Sequence, residues 1–280
     1  MPTSDSPLSA ADLERYRTDG FVVLRGLFDS DTIEPLLDAV GEGAFEVVDV
    51  DGNHQPLNNW TWCGDDLIGR LPRVQQLVAL AEQMIDSPVY HWHSKLSWKD
   101  PGSAGTWDWH QDYAFWSEEG VGRPAMATIG IALDHHEPAN GCLRVIPKSH
   151  VNGTVPHPQV GASRCADPAV VDALVDQHGI VDLILEPGDA VLFGCNVLHG
   201  SLGNTAETRR TFVHCSYNAV DNVPTTPLID GHQAGCIELV DDAAIVPGAY
   251  SSVFGLTDFI DPANCGYDGR DGFQVVKREA

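Results

Sequence analysis

Basic residues are scarce in this chain. Its 280 residues include 16 Lys and Arg against 40 Asp and Glu, a formal net charge of −24. A surface of that sign repels nucleic acid and anionic lipid, so neither is expected as a partner. The same field opposes an anionic small molecule, so any site for one has to be built locally from particular Arg or Lys side chains. Each cation directed inward is therefore informative. Cysteines are scattered and odd in number: Cys63, Cys142, Cys165, Cys195, Cys215, Cys236 and Cys265 contain no C-x-x-C pair. That pattern speaks against a disulfide framework or structural zinc and for buried reduced thiols. Long apolar runs are missing too. No stretch approaches the roughly 20 residues that span a bilayer. Met1 to Ala11 lacks the basic-then-apolar order of a secretory signal. A cytoplasmic monomer or homodimer acting on a small molecule is expected.

What is present begins with helices. Ser9 is placed to cap a short helix through Arg17, followed by a buried strand at Phe21 to Leu24. A second helix is predicted from Asp29 or Ser30, with Ile33, Leu36, Leu37 and Val40 as its apolar stripe and Gly41 as its stop. Asn53 to Cys63 shows no clear period, and Val74 to Met84 fits another helix. From Val89 the pattern turns to strands: Val89–Trp98, Trp107–Tyr113, Ala125–Leu133, Cys142–Ile146, Ile180–Leu185, Ala190–Phe193 and Thr211–Tyr217. On the first, simple alternation puts His91, His93 and Lys95 on one face. Asn140-Gly141 reads as a hairpin turn, Asp167-Pro168 to His178 as a helix stopped by Gly179, and Glu186 to Asp189 as a turn. Short strands joined by Gly/Pro turns predict an all-β core with flanking helices, a jelly roll or double-stranded β-helix. The expected layout is one domain over 1–280: a helical part at 1–88, the jelly-roll core at 89–220, and an irregular part at 221–280.

Two segments carry chemistry. His110-Gln111-Asp112 sits at the end of a predicted strand, where residues two apart share a face. An imidazole and a carboxylate then meet one cation, and a third ligand from another strand would complete a two-histidine, one-carboxylate facial triad, which suits iron(II) and leaves open positions. His199 follows the apolar strand Ala190–Phe193, Ser201 places a hydroxyl two residues on, and Arg210 opens the strand Thr211–Tyr217. A guanidinium binds a carboxylate through two hydrogen bonds and stays charged. That is what the distal carboxylate of 2-oxoglutarate requires inside an acidic protein.

The stretches WHQDYAFW (Trp109 to Trp116), NGCLRVIPKSH (Asn140 to His150), EPGDAVLFGCNVLHGSLGN (Glu186 to Asn204) and RRTFVHCSYN (Arg209 to Asn218), with GFVVLRGLF near the N-terminus, resemble the phytanoyl-CoA dioxygenase family of iron(II)/2-oxoglutarate oxygenases. HSKLSWKDP (His93 to Pro101) is similar to its ectoine hydroxylase branch. The resemblance implies that His110, Asp112 and His199 are the iron ligands and that Arg210 clamps 2-oxoglutarate with help from Ser201. It also places Lys99 and Trp116 beside the co-substrate, with Thr128 in the pocket wall. Dioxygen is the further co-substrate. Related halogenases replace the carboxylate ligand by a small residue. Asp112 keeps it here, which favours hydroxylation, or another oxidation such as desaturation or cyclisation. No basic cluster suited to coenzyme A is evident, so a small polar metabolite, amino-acid-like, zwitterionic or a natural-product intermediate, is the expected substrate. Lys148 stands where the family often has glycine and is expected to alter the loop before His150.

Other residues have bland readings. His91-Trp92-His93 could pair on a metal but reads better as wall or packing, His135-His136 as a solvated turn, and His150, His157 and His214 as structural. Trp60, Trp62, Trp92, Trp98, Trp107, Trp109 and Trp116 are core candidates. Trp98 and Trp107 are the expected cavity residues, joined by Lys95, for which an inward ammonium needs an anionic partner. Rival functions are a non-catalytic jelly roll binding 2-oxoglutarate or a metabolite, and a zinc or manganese isomerase on the same ligands. Arg210 argues against both, since neither needs a buried carboxylate clamp.

Overall fold

In a computed structural model of the chain, residues 7–41, 45–61, 63–225, 237–254 and 274–277 are described, the last segment by its backbone alone. Trp62, Cys236 and Cys265 therefore lie outside the described residues. Helix α1 (Ala10–Asp19) starts at Ser9, whose hydroxyl accepts the Asp12 N–H. Strand β1 (Phe21–Leu24) follows. The predicted second helix is only one α turn, α2 (Ser30–Ile33), continued as a 3-10 helix over Glu34–Ala39. Pro35 has no N–H for an α ladder, which explains the tightening. Next come β2 (Phe45–Val48), β3 (His54–Trp60), α3 (Leu67–Arg70) and α4 (Gln75–Ile85). The long β4 (Val89–Lys99) leads to β5 (Trp107–His110), α5 (Asp112–Trp116), β6 (Met126–Ala132) and β7 (Arg144–Val145). A small hairpin of β8 (Gln159–Val160) and β9 (Ser163–Arg164) precedes α6 (Pro168–His178), β10 (Val181–Asp182), β11 (Ala190–Gly194), β12 (His199–Ser201), β13 (Arg210–Ala219) and β14 (Gln274–Lys277).

Two antiparallel sheets face each other. The larger runs β1-β11-β6-β13-β4-β3-β2-β14 and the smaller β10-β7-β12-β5. This is the double-stranded β-helix that the strand pattern predicts. The part at 1–88 is not simply helical, because β1, β2 and β3 extend the larger sheet. Asn140-Gly141 does not close a two-residue hairpin. Gly141 ends a 3-10 turn at φ +75°, and the chain leaves the larger sheet for the smaller one. Among the described residues no helix is long and apolar enough to cross a membrane, and Cys63, Cys142, Cys165, Cys195 and Cys215 are free thiols.

The outer face of the larger sheet packs on the helices. Leu96 and Trp98 of β4, Ile129 and Ile131 of β6, and Val213, Cys215 and Tyr217 of β13 join Leu77, Leu80 and Ala81 of α4 in one apolar layer. Trp98 is thus a core residue, a correction to its expected place in the cavity. Strand β4 also departs from simple alternation. Ser216 pairs with His93 but Tyr217 pairs with His91, so Trp92 is an extra residue in the ladder. The bulge turns His91 to the helix side, where its Nε2 meets Ser94 Oγ at 2.8 Å, while His93 and Lys95 stay on the inner face. The shared face expected for His91, His93 and Lys95 is corrected accordingly.

Candidate active site

The inner faces of the two sheets border a cavity that is partly open to solvent. At its edge His110, Asp112 and His199 converge, with ligand atoms all within 4.8 Å of one another. Cross-strand pairing sets the two histidines side by side: His199 on β12 lies opposite His110 on β5, and their ring centroids are 4.1 Å apart. Asp112 does not continue the strand. The Gln111 N–H leaves the ladder for His157 Nε2 at 3.0 Å, and the chain turns into α5, of which Asp112 is the first residue. The shared strand face inferred from sequence is therefore not what unites His110 and Asp112. The turn brings Asp112 Oδ1 to 3.9 Å from His110 Nε2 and 3.8 Å from His199 Nε2.

The protonation pattern fits a cation. His110 Nδ1 lies 2.7 Å from the Asp108 carbonyl and His199 Nδ1 lies 3.0 Å from the Val197 carbonyl. A carbonyl only accepts, so both Nδ1 atoms carry the proton and both Nε2 lone pairs face Asp112. Burial holds both imidazoles below the usual histidine range, His110 well below it, with neighbouring His199 and Lys95 adding to the effect on His110. Two neutral nitrogens and one carboxylate are the donor set of an iron(II) facial triad. Two ligand bonds of about 2.1 Å reach across about 4 Å, so the observed separations admit one ion. The Thr128 hydroxyl lies 3.4 Å from Asp112 Oδ2, which leaves Oδ1 to the imidazoles.

Gln111, wholly buried between the two ligands, is held on every polar atom of its side chain. Its Nε2 donates to the carbonyls of Gly153 at 2.9 Å and Asn196 at 2.6 Å, and its Oε1 accepts the Val155 N–H at 2.7 Å. His157, a structural reading from sequence, fixes the same residue from the backbone side.

Arg210 is 2% exposed and opens β13 on the inner face. Its Nε donates to the Gly141 carbonyl at 3.1 Å, and its two terminal nitrogens lie 3.4 Å from the Ser97 and Ser201 hydroxyls. The left-handed φ of Gly141 aims that carbonyl, and a Cβ there would come within 2.4 Å of the Leu202 carbonyl. No carboxylate lies in ion-pair range of Arg210 among the described residues. Burial lowers its pKa to about 10, so it remains charged near neutrality. A buried guanidinium with both arms on weak neutral partners fits a missing carboxylate ligand.

Other expected residues separate into two groups. Lys95, Trp107, Ser201 and Arg210 line the cavity. Lys99 does not: its ammonium donates to the Gly105 and Leu202 carbonyls at 2.7 and 2.5 Å, away from the cavity. Burial and the nearby Arg210 push its pKa down to about 6, against the Asp49 and Asp108 carboxylates, which favour the charged form. Trp116 packs on Trp92 and on His93, with a centroid distance of 5.5 Å to the latter, behind α5. Trp60, Trp92 and Trp98 are buried core, while Trp109 packs under Arg144. Arg209 is paired on the surface with Asp100 at 2.7 Å. Of the expected solvated pair, His135 is exposed on Glu186, but His136 is fully buried with Nε2 on the Thr211 carbonyl. His150 reaches the Arg17 carbonyl. The sequence reading missed Ser97, Phe212 and His214, which all line the cavity. Alternation along β13 from Arg210 through 212 to 214 is the signal that finds the latter two.

Comparison with known proteins places this geometry. A family model for phytanoyl-CoA dioxygenase (PhyH) matches residues 16–212. The chain is 34% identical over 180 residues to the L-proline trans-4-hydroxylase of Streptomyces griseoviridis, covering 59% of this chain and 67% of that protein. It is 30% identical over 242 residues to the ectoine dioxygenase of Sphingopyxis alaskensis, covering 79% of each. The crystal structure of EctD from S. alaskensis with bound Fe superposes with a TM-score of 0.69 at 26% identity, over 86% of this chain and 90% of that one. The structure of the same protein with 2-oxoglutarate and 5-hydroxyectoine gives a TM-score of 0.67 at 25% identity, over 88% and 89%. With a family match over most of its length and a facial triad where the two sheets meet, the chain belongs to the phytanoyl-CoA dioxygenase family and is an iron(II)/2-oxoglutarate-dependent dioxygenase.

Proposed function

We propose that the protein hydroxylates an unactivated C–H bond of a small polar metabolite. In this reading His110, Asp112 and His199 hold iron(II), and Arg210 with Ser97 and Ser201 binds the far carboxylate of 2-oxoglutarate. The observation that carries it is the buried Arg210, with no acidic partner among the described residues, set in the cavity that the triad borders. The relatives named for L-proline and ectoine support a small polar substrate.

Iron with 2-oxoglutarate and dioxygen supplies the oxidising power, by coupling decarboxylation to succinate with oxidation of the substrate carbon. The protein's part is placement. The Asp108 and Val197 carbonyls fix the tautomers of the two histidines, and Thr128 fixes one oxygen of Asp112. Arg210 orients the co-substrate, and Phe212, Leu143 and Trp107 exclude water. The test is iron(II)-dependent succinate release from 2-oxoglutarate. Asp112→Ala is expected to lose at least 100-fold. Arg210→Met is expected to raise the KM for 2-oxoglutarate by 10- to 100-fold, because a charge-assisted bidentate contact contributes roughly 1.5–3 kcal/mol. Undiminished succinate release by Asp112→Ala would sink the proposal.

A further inference from the structure

The cavity contains a second cation that a carboxylate on Arg210 does not employ. Lys95 Nζ stands 5.3 Å from the centroid of the Trp107 ring, and no carboxylate pairs with it among the described residues. Its cross-strand neighbour is His214, which faces the same cavity and whose Nδ1, sealed from solvent, has no hydrogen-bond partner. Both cations bear on His214, and beyond it their neighbours differ. Lys95 acts electrostatically on His110 and His199, at the metal end. Arg210 acts on Lys99 and His136, at the other. Along β13, His214 is four residues from Arg210, about 13 Å at a strand rise of 3.3 Å. Among the described residues no acidic side chain lines the cavity apart from Asp112 at its edge, although the chain as a whole carries a net charge of −24. A cation–π contact leaves the ammonium charge uncompensated, so the pair lacks an anion.

We propose that Lys95 and His214 form a second anion subsite, which receives the carboxylate of the substrate. The substrates are then small carboxylic acids, amino acids among them, seated with the carboxylate on Lys95, the carbon skeleton on the Trp107 ring and a C–H directed to the triad. The proposal rests on the reading that Arg210 is taken by 2-oxoglutarate.

The test uses the protein loaded with Mn(II) and 2-oxoglutarate, followed by thermal denaturation with a panel of amino acids, cyclic imino acids and small hydroxy acids. Each acid is paired with its carboxamide. At least one acid is expected to raise the Tm where its amide does not. For that acid, in the iron enzyme, Lys95→Met should raise the KM at least 10-fold, His214→Phe by about 3- to 10-fold, and Lys95→Arg should restore binding. The KM for 2-oxoglutarate should stay within twofold in all three. An amide that stabilises as well as its acid, no stabilising acid in the panel, or a Lys95→Met variant weakened for 2-oxoglutarate instead would each overturn the proposal. An Arg210→Met variant with unchanged 2-oxoglutarate affinity would show that the earlier reading has failed rather than this one.

Discussion

At the scale of residues, the cavity floor depends on one missing side chain. Gly130 on β6 lies under the Phe212 ring, and a Cβ there would fall 2.4 Å from its Cζ. The tip of the ring therefore takes the space that a side chain on β6 would need. Gly130→Ala is expected to cost about 1–3 kcal/mol through overpacking, read as a lowered urea midpoint, and to raise the KM for substrate as the ring is pushed inward. Lys148 gives the opposite case. It holds φ +62°, a left-handed conformation that costs an L-residue roughly 1–2 kcal/mol. Lys148→Gly is expected to leave stability unchanged or raise it by up to about 1 kcal/mol in the same unfolding measurement. The loop before His150 thus takes up a backbone conformation suited to glycine even though a lysine occupies it. Arg210 and Ser201 could be read as a clamp from sequence because basic residues are so scarce in this chain that a cation opening a strand stands out. His214 could not, because an isolated histidine has no spacing partner until strand register supplies Lys95.

At the scale of elements, α5 is what makes the site. One turn carrying Asp112 is anchored by Gln111, whose amide satisfies two carbonyls and one N–H in the interior. Gln111→Ala leaves those groups buried and unpaired, at about 1–3 kcal/mol each. The variant is expected to unfold at a clearly lower urea concentration. Its affinity for Co(II), followed by visible absorption, is expected to fall by about 10- to 100-fold, the range found when groups that orient metal ligands are removed. The long elements were legible: β4, β6, β11, β13 and α6 have apolar periodicity or paired caps that mark them in the sequence. The short ones were not. β3 is hidden because its run His54–Trp60 carries Gln, Pro and two Asn residues whose burial comes from tertiary packing. α5 has the aromatic composition of a strand, and only the withdrawal of the Gln111 N–H to His157 ends the ladder.

At the scale of the whole molecule, burial sets the response to pH. His136 and His214 are held neutral, with pKa values lowered chiefly by desolvation, His214 well below the ordinary 6.5. The unfolded chain binds those protons first. The stability is therefore present above pH 6.5 and is lost as pH falls below it towards the folded values, by up to about 1.4 kcal/mol per pH unit for each group. Denaturant titrations from pH 7.5 to 5.0 are expected to show this fall, and His214→Phe is expected to flatten it by close to one proton. The fold class was legible because turns and alternating strands recur through the chain. The assignment of each side chain to core or cavity was not, since a two-residue period fixes faces only relative to each other. The extra residue at Trp92 shows what that means for change over time. It is a phase shift: residues before it and after it on β4 belong to opposite compartments. Substitutions along the strand alter the cavity or the core one side chain at a time. Deleting Trp92 would leave a regular ladder in which His91 still meets Tyr217 and His93 still meets Ser216, so no side chain would change compartment. A length change at this point of β4 is thus absorbed in the bulge, and altered chemistry in the cavity comes by replacement.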